Sequence, residues 1–483
     1  MAREELQARD ALLKHTGHSD LDVAVYEIVS KRSRVTALWN YYWGNQPLRY
    51  SSSRLKEMFG SLDVSFVENW CGVVVDSTMD RINLSGFVIS EDKEATNILN
   101  DTFNETELIL DADDAHLAAL VTGESFIFVW KSEENGLEAY YNDPRLCHIE
   151  YKSENPRQKK FAAKMWVDEE TGLYNLVMYY PDRLEYYKSK VKWDRVRKGE
   201  HFIPSAPTEM NPYGEIPVFH LRRDRIRIAG ELDSIITLQD AVNKLFSDMM
   251  VAAEFGAFPQ RYLISTAEVA RLRSSPGLVW DIPAADGKSQ PTEIGQLPSA
   301  NLDNYLRAMD KLSQSISVIT RTPRHYFWGQ TGPISGEALL AMESPLNKKI
   351  ERYTNRFASA WRKVAVFILR LEGKEVPPAD IVPHYDSPQT VQPKTMAEMR
   401  KLSVDAGMPL ITVLKQEGWT EPEIEDMIAD AIQMRTMADP EVRAGEAVEP
   451  SAEIPDTEQT TEAAVETQRS ENTVDTTQWR RRV

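Results

Sequence analysis

The densest group of potential ligands in this sequence is Asp111, Asp113, Asp114 and His116. Hard carboxylate oxygens at such spacing suit a divalent cation. Acidic residues are equally favoured in the first turn of a helix, where they meet the positive end of its dipole. Leu117 and Leu120 follow at helical spacing, so the group reads as a decorated helix start. His15 and His18 lie three apart in a polar segment, a poor frame for zinc, which needs converging ligands. Gly329, Gly332 and Gly336 are not followed by Gly-Lys-Ser/Thr, which excludes a phosphate-binding P-loop. Gly123-Glu124-Ser125 lacks the second glycine of a nucleophile elbow. Cys71 and Cys147 form neither a Cys-x-x-Cys pair nor a disulfide framework, and read as small core residues in a reducing compartment. These residues predict no catalytic group, no metal and no cofactor.

The elements that would carry such groups are set by composition. At 483 residues the chain is long enough for two or three domains, and 42% hydrophobic residues can fill their cores. The longest purely apolar run, Val364 to Leu369, is far short of the ~20 residues of a membrane span. Met1 to Asp10 is polar and mixed in charge, so no secretion signal is expected there. The net charge of -18 is not that of a protein that grips phosphates through Lys and Arg. It suits one that avoids DNA, or one past which DNA slides. Between Asp439 and Asp475, eleven Asp and Glu face two Arg, and no aromatic residue is present. That composition cannot offset the entropy of ordering, so residues 438–483 are expected to be a disordered acidic tail.

Periodicity divides the remainder. Asp20 to about Asn104 reads as mostly helical, with a buried helix over Ser61 to Ile82. Gly123 to His220 reads as strands. Ser125 to Lys131 is aromatic and β-branched. Phe161, Ala163, Met165 and Val167 alternate, a turn follows over Asp168 to Gly172, and Leu176, Met178 and Tyr180 alternate again, as in a hairpin. Ile216 to Leu221 is a further strand. Long helices follow over Glu231 to Phe255 and Asn301 to Thr320. Between them lies a Pro/Gly-rich stretch holding strand-like pieces at Arg261 to Ser265 and Leu278 to Ile282. Ser335 is a good N-cap for the strongest helix, whose apolar residues recur every three or four positions from Leu339 to Leu371. Such a helix is about 55 Å long, and Pro345 should kink or divide it. Thr395 to Met437 predicts two or three short helices.

Four stretches together resemble the portal proteins of tailed bacteriophages with long non-contractile tails. They are YYWGNQPL at Tyr41 to Leu48, NWCGVVVDSTMDRI at Asn69 to Ile82, ELDSIITLQDAVNKLFSDM at Glu231 to Met249, and PISGEAL at Pro333 to Leu339. Their order and spacing over about residues 20 to 375 carry the resemblance, more than any one alone. The resemblance implies an α+β portal fold: a flexible arm (1–20), an α+β wing (21–230), stem helices (231–256 and 299–320) around a mixed α/β clip (257–298), a tunnel loop (321–334), a long kinked helix (335–373), a connection (374–394) and a helical crown (395–437). It also implies a virion protein at one capsid vertex, assembled in the host bacterial cytoplasm. The ring, of twelve subunits in the family, would take double-stranded DNA through its channel without reading its sequence. It would meet the terminase large subunit, a head-tail adaptor, and the major capsid and scaffolding proteins, with no membrane partner. ATP hydrolysis then belongs to a separate motor. A phage-encoded nuclease or protease on an α+β fold is the competing reading.

The same resemblance puts Arg321 to Ile334, RTPRHYFWGQTGPI, at the narrowest part of the channel. Arg321, Arg324, His325, Tyr326, Phe327, Trp328 and Gln330 are the candidate channel residues. The arginines would touch phosphates without fixing sequence. Two arrangements stay open: aromatics facing the channel, or aromatics packed back on the stem helices. The long apolar stripe of the 335–373 helix exceeds what one subunit's core should cover. Phe357 and Trp361 are therefore expected at a subunit interface.

Overall fold

The computed structural model describes residues 19–47, 67–90, 92–132, 134, 136–257, 261–264, 293–296, 298, 301–328, 335–388, 393–417, 419 and 421–438. The expected N-terminal arm, the strand at Leu278 to Ile282 and the acidic tail lie outside these residues. The chain divides into two compact units, residues 1–407 and 408–483.

The first unit is a mixed α+β body. In chain order it holds α1 (Asp20–Trp43), α2 (Trp70–Met79), β1 (Leu84–Ile89), α3 (Lys93–Glu105), α4 (Leu108–Thr122), β2 (Glu124–Ser132), β3 (Gly136–Asn142), β4 (Cys147–Tyr151), β5 (Lys159–Val167), β6 (Leu173–Tyr179), β7 (Arg183–Lys192), β8 (Phe202–Pro204), β9 (Glu209–Met210) and β10 (Val218–Arg222). After these come α5 (Ile236–Ala257), β11 (Arg261–Ile264), β12 (Glu293–Gln296), α6 (Asp303–Thr320), α7 (Gly336–Leu371), β13 (Ile381–Tyr385) and α8 (Pro393–Asp405). The second unit contributes α9 (Leu410–Gln416) and α10 (Glu421–Ala438).

The predicted hairpin is present as β5 and β6, antiparallel, with Ala162 opposite Tyr179 and Val167 opposite Tyr174. It sits inside a sheet of order β4-β5-β6-β7-β8, with β9 on β7. The inward alternation Phe161, Ala163, Met165 meets the first turns of α1 through Ala24, Val25 and Ile28, forming one apolar core. A second sheet, β10-β2-β3, is covered by the main core, which α2, α4, α5 and α7 share.

Two of the motifs meet in space. Gly44 ends α1 with φ 75°, a left-handed conformation that glycine adopts without strain. Asn69 caps α2 by accepting from the Gly72 amide at 3.2 Å, and its amide nitrogen donates to the Tyr42 carbonyl at 2.8 Å. This cap explains why the helix predicted from Ser61 begins only at Trp70 in the described residues.

Two further expectations differ. The helical reading through Asn104 omitted β1, which pairs antiparallel with β13, Ile89 opposite Ile381. The helix predicted from Glu231 starts at Ile236, after a 3-10 turn over Leu232–Ser234. The break lies at Ile235, whose φ of -122° departs from the helical region; upstream, the Glu231 amide bonds to the Leu120 carbonyl at 2.7 Å. The long helix begins as expected, with Ser335 Oγ accepting from the Ala338 amide, and runs through Pro345 as one 36-residue element.

Candidate channel-facing segment

The segment after α6 is built from that helix's buried stripe. Met309, Ser313, Ile316 and Thr320, at steps of three or four, are its buried positions. The helix stops at Arg321, φ 58°, a left-handed turn at a non-glycine residue. Ser317 Oγ donates to the Thr322 carbonyl at 2.7 Å and steadies that turn. Pro323 then leads into a 3-10 turn, Arg324–Tyr326, closed by the Phe327 amide on the Arg324 carbonyl at 3.1 Å.

Arg321 and Arg324 are exposed. Arg324 pairs with Asp310 at 2.7 Å, but both side chains are about half in solvent, so screening leaves the pair little weight. The aromatic residues turn inward. Tyr326 accepts from Arg81 Nη2 at 2.7 Å and donates to Glu343 at 3.3 Å, while Arg81 pairs with Glu343 at 3.2 Å and donates to Asn347 at 2.6 Å. Burial, with Glu343 adding, raises the Tyr326 hydroxyl pKa above its ordinary range, although Arg81 opposes the shift. His325 lies 3.9 Å from Glu343. Phe327 and Trp328 meet the Trp70 ring edge-on at centroid distances of 5.8 and 6.0 Å, and the Trp328 indole donates to Ser313 Oγ at 2.9 Å. Within one chain, therefore, His325 to Trp328 rest on α2, α6 and α7. Gln330 lies outside the described residues.

The Arg81–Glu343–Asn347 clamp was missed in the sequence. Arg81 belongs to a stretch already singled out. Glu343 and Asn347 sit four apart, where polar side chains share a helix face, and that was the available signal.

A second polar cluster anchors the base of the segment. Buried Glu231 accepts from Lys349 at 3.2 Å, Arg223 at 2.9 Å and Tyr353, and Lys349 also donates to the Thr320 carbonyl at 2.9 Å. Burial opposes the Glu231 charge, but Lys349 and Arg223 outweigh it and hold the carboxyl below its ordinary range. Removing Glu231 would leave Lys349 and Arg223 as buried cations with no counter-charge, at a cost of about 3–5 kcal/mol. The basic run Arg222 to Arg227 owes part of its presence to this cluster.

Phe357 and Trp361 differ from their expected place. Both are 0% exposed in the single chain. Phe357 lies 4.9 Å from the His116 ring, and Trp361 meets Phe103 edge-on at 5.6 Å. The covering of this part of the stripe comes from the chain's own α3 and α4. Exposed apolar residues flank the 321–334 segment: Val318 (73% exposed) and Ile319 (49%) on α6 before it, and Leu339, Leu340 and Met342 on α7 after it.

The acidic group does not converge. Asp111 accepts from the Tyr141 amide at 3.1 Å, Asp113 and Asp114 are exposed, and His116 points into the core. Among the described residues no group of His, Cys, Asp and Glu is arranged to hold a metal ion. No described helix is long and apolar enough to cross a membrane.

Residues 25–425 match the family described as "Phage portal protein, SPP1 Gp6-like". The chain is 25% identical over 328 residues to the portal protein of Mycobacterium phage L5, covering 63% of this chain and 65% of that one. It is 25% identical over 327 residues to the portal protein of Mycobacterium phage D29, with the same shares. The aligned region thus spans a little under two thirds of these relatives. Among solved structures, a chain from the neck of an empty gene transfer agent particle aligns with TM-score 0.46 at 9% identity, covering 85% of this chain and 98% of that one.

Proposed function

The chain belongs to the SPP1 Gp6-like phage portal family, and we propose that it forms the ring-shaped channel at one capsid vertex through which double-stranded DNA is packaged, retained and ejected. The observation that carries this reading is the family match over residues 25–425, which begins within α1 and ends within α10. In this reading residues 21–230 are the wing, α5 and α6 the stem, β11 and β12 part of the clip, α7 the helix behind the tunnel loop, and 395–437 the crown. The ring holds about twelve copies. Its clip meets the terminase large subunit during packaging and a head-tail adaptor afterwards, and its outer surface meets the capsid and scaffolding proteins. The proposal gives the chain no catalytic step.

Two physical features support it. Val318, Ile319, Leu339, Leu340 and Met342 leave apolar area in water in the single chain, and a neighbour in a ring would cover it. The net charge of -18 suits a chain past which DNA slides, because phosphate binding scales with the number of cations that release counterions.

Shortening Gly329 to Gly332 to a Gly-Ser link, which keeps the packed Phe327 and Trp328, tests the tunnel-loop assignment by complementation of a portal-defective phage. Normal rings in empty heads are expected. DNA-filled, infectious particles at normal yield would sink the assignment.

A further inference from the structure

An acidic protein has little reason to gather cations, yet this one does so among its described residues. Where β5, β10 and α7 meet, a cavity of about 180 Å³ is lined by Arg157, Lys159, Arg222, Arg225, Arg356 and Lys363. No carboxylate lines it. Arg356 leans on the Arg223 carbonyl and reaches Asp224 at 3.8 Å. Arg222 stacks over Tyr151 at 5.1 Å. Lys159 donates to the Ile216 carbonyl at 2.9 Å and lies 4.2 Å over the Phe219 ring. Among the described residues, Arg157, Arg222, Arg225 and Lys363 form no ion pair. The nearest acid that acts on the lysines, Glu215, is already paired with Arg370 at 2.9 Å.

Six like charges held together repel one another. The repulsion acts on Lys363, which burial and then Arg222, Arg225 and Arg157 lower; Lys159 is brought down to about 8 mainly by burial. Surface cations usually relieve such repulsion by pairing, and acids are abundant in this chain. Here only Asp224, 3.8 Å from Arg356, pairs with one of the six, and no carboxylate lines the cavity. Asn355 and Ser359 precede Lys363 at steps of four along α7 and add neutral donors to the cationic wall. Planar guanidinium forks, an ammonium and neutral donors around one small cavity match a tetrahedral oxyanion.

We propose that this pocket binds a phosphate group. The binding partner is either a free phosphate or a phosphodiester of the DNA backbone, which present the same oxygens. The site is built within one chain and does not depend on the ring reading.

The test uses full-length protein in a phosphate-free buffer. Inorganic phosphate is titrated by calorimetry, and a labelled short duplex by fluorescence anisotropy over a range of salt. Arg225→Gln with Lys363→Gln changes two exposed residues of the pocket. Lys190→Gln with Arg227→Gln removes the same charge elsewhere on the exposed surface. Saturable phosphate binding is expected in the wild type, roughly tenfold weaker in the pocket variant, since one charge-assisted hydrogen bond is worth about that factor. The control should bind as the wild type does. If the DNA backbone is the partner, duplex binding is displaced by inorganic phosphate, and its salt slope falls by about two in the pocket variant alone. Phosphate binding without duplex binding assigns the free anion. Absence of saturable phosphate binding in the wild type, or equal loss in both variants, overturns the proposal. A phosphate-dependent rise in wild-type melting temperature provides a check that needs no variant.

Discussion

His116 provides a quantitative test of the core that joins α4, α7 and β13. Its ring is fully buried among Phe357, Trp361 and Tyr385. The Trp361 indole donates to Nε2 at 2.8 Å, so Nε2 is the acceptor and the proton sits on Nδ1. A second proton would have to enter at Nε2, against the indole N–H. Burial alone lowers the folded-state pKa from 6.5 to about 3. The folded state thus refuses a proton that the unfolded chain accepts below 6.5. Stability is complete above that value and falls as the pH drops toward 3. At pH ~4.5, two units below the unfolded value at about 1.4 kcal/mol per unit, the loss is about 3 kcal/mol. His116→Gln keeps an acceptor for Trp361 and does not titrate. Urea unfolding followed by tryptophan fluorescence, for both proteins at pH ~7.5 and ~4.5, isolates this one group. The variant starts less stable, and its deficit relative to the wild type should shrink by about 3 kcal/mol in acid. A deficit that stays constant would mean that the folded protein charges His116, and the buried, dry core described here would be wrong.

Two further outcomes follow. Phe357→Ala should cost about 3–5 kcal/mol, the range for a buried aromatic, and Phe357→Asp should give aggregated or unfolded chain by size exclusion, with no folded monomer. Val318→Glu, at an exposed position, should leave the circular dichroism of the chain unchanged while light scattering shows rings dispersing into single subunits; intact rings would remove Val318 from the subunit interface.

The parts of the fold legible in the sequence are those whose signals are local. The α7 stripe with its Ser335 cap, and the alternation of Phe161 to Val167 against Leu176 to Tyr180, each carry their own period. β1 carried no such signal: Gly86 interrupts its alternation, and its partner β13 lies almost three hundred residues away. β12 was hidden in a Pro/Gly-rich stretch. The start of α5 at Ile236 follows a break at Ile235, within a run whose apolar spacing is continuous. The same holds for the site. The 321–334 segment was visible from its prolines, glycines and aromatics, but its anchoring on Arg81, Glu343 and Trp70 is a property of the packed chain. The stripe of α7 was read correctly as apolar. Whether its cover is a neighbour or the chain's own α3 and α4 is not written in periodicity, and for Phe357 and Trp361 it is the latter.

The central claim is the ring, and imaging of the purified full-length protein by negative-stain electron microscopy, with mass by light scattering, tests it most directly. The account predicts particles with a central hole and a mass near twelve times the 55.1 kDa subunit. A homogeneous population of compact single subunits across the concentrations used for assembly would contradict it.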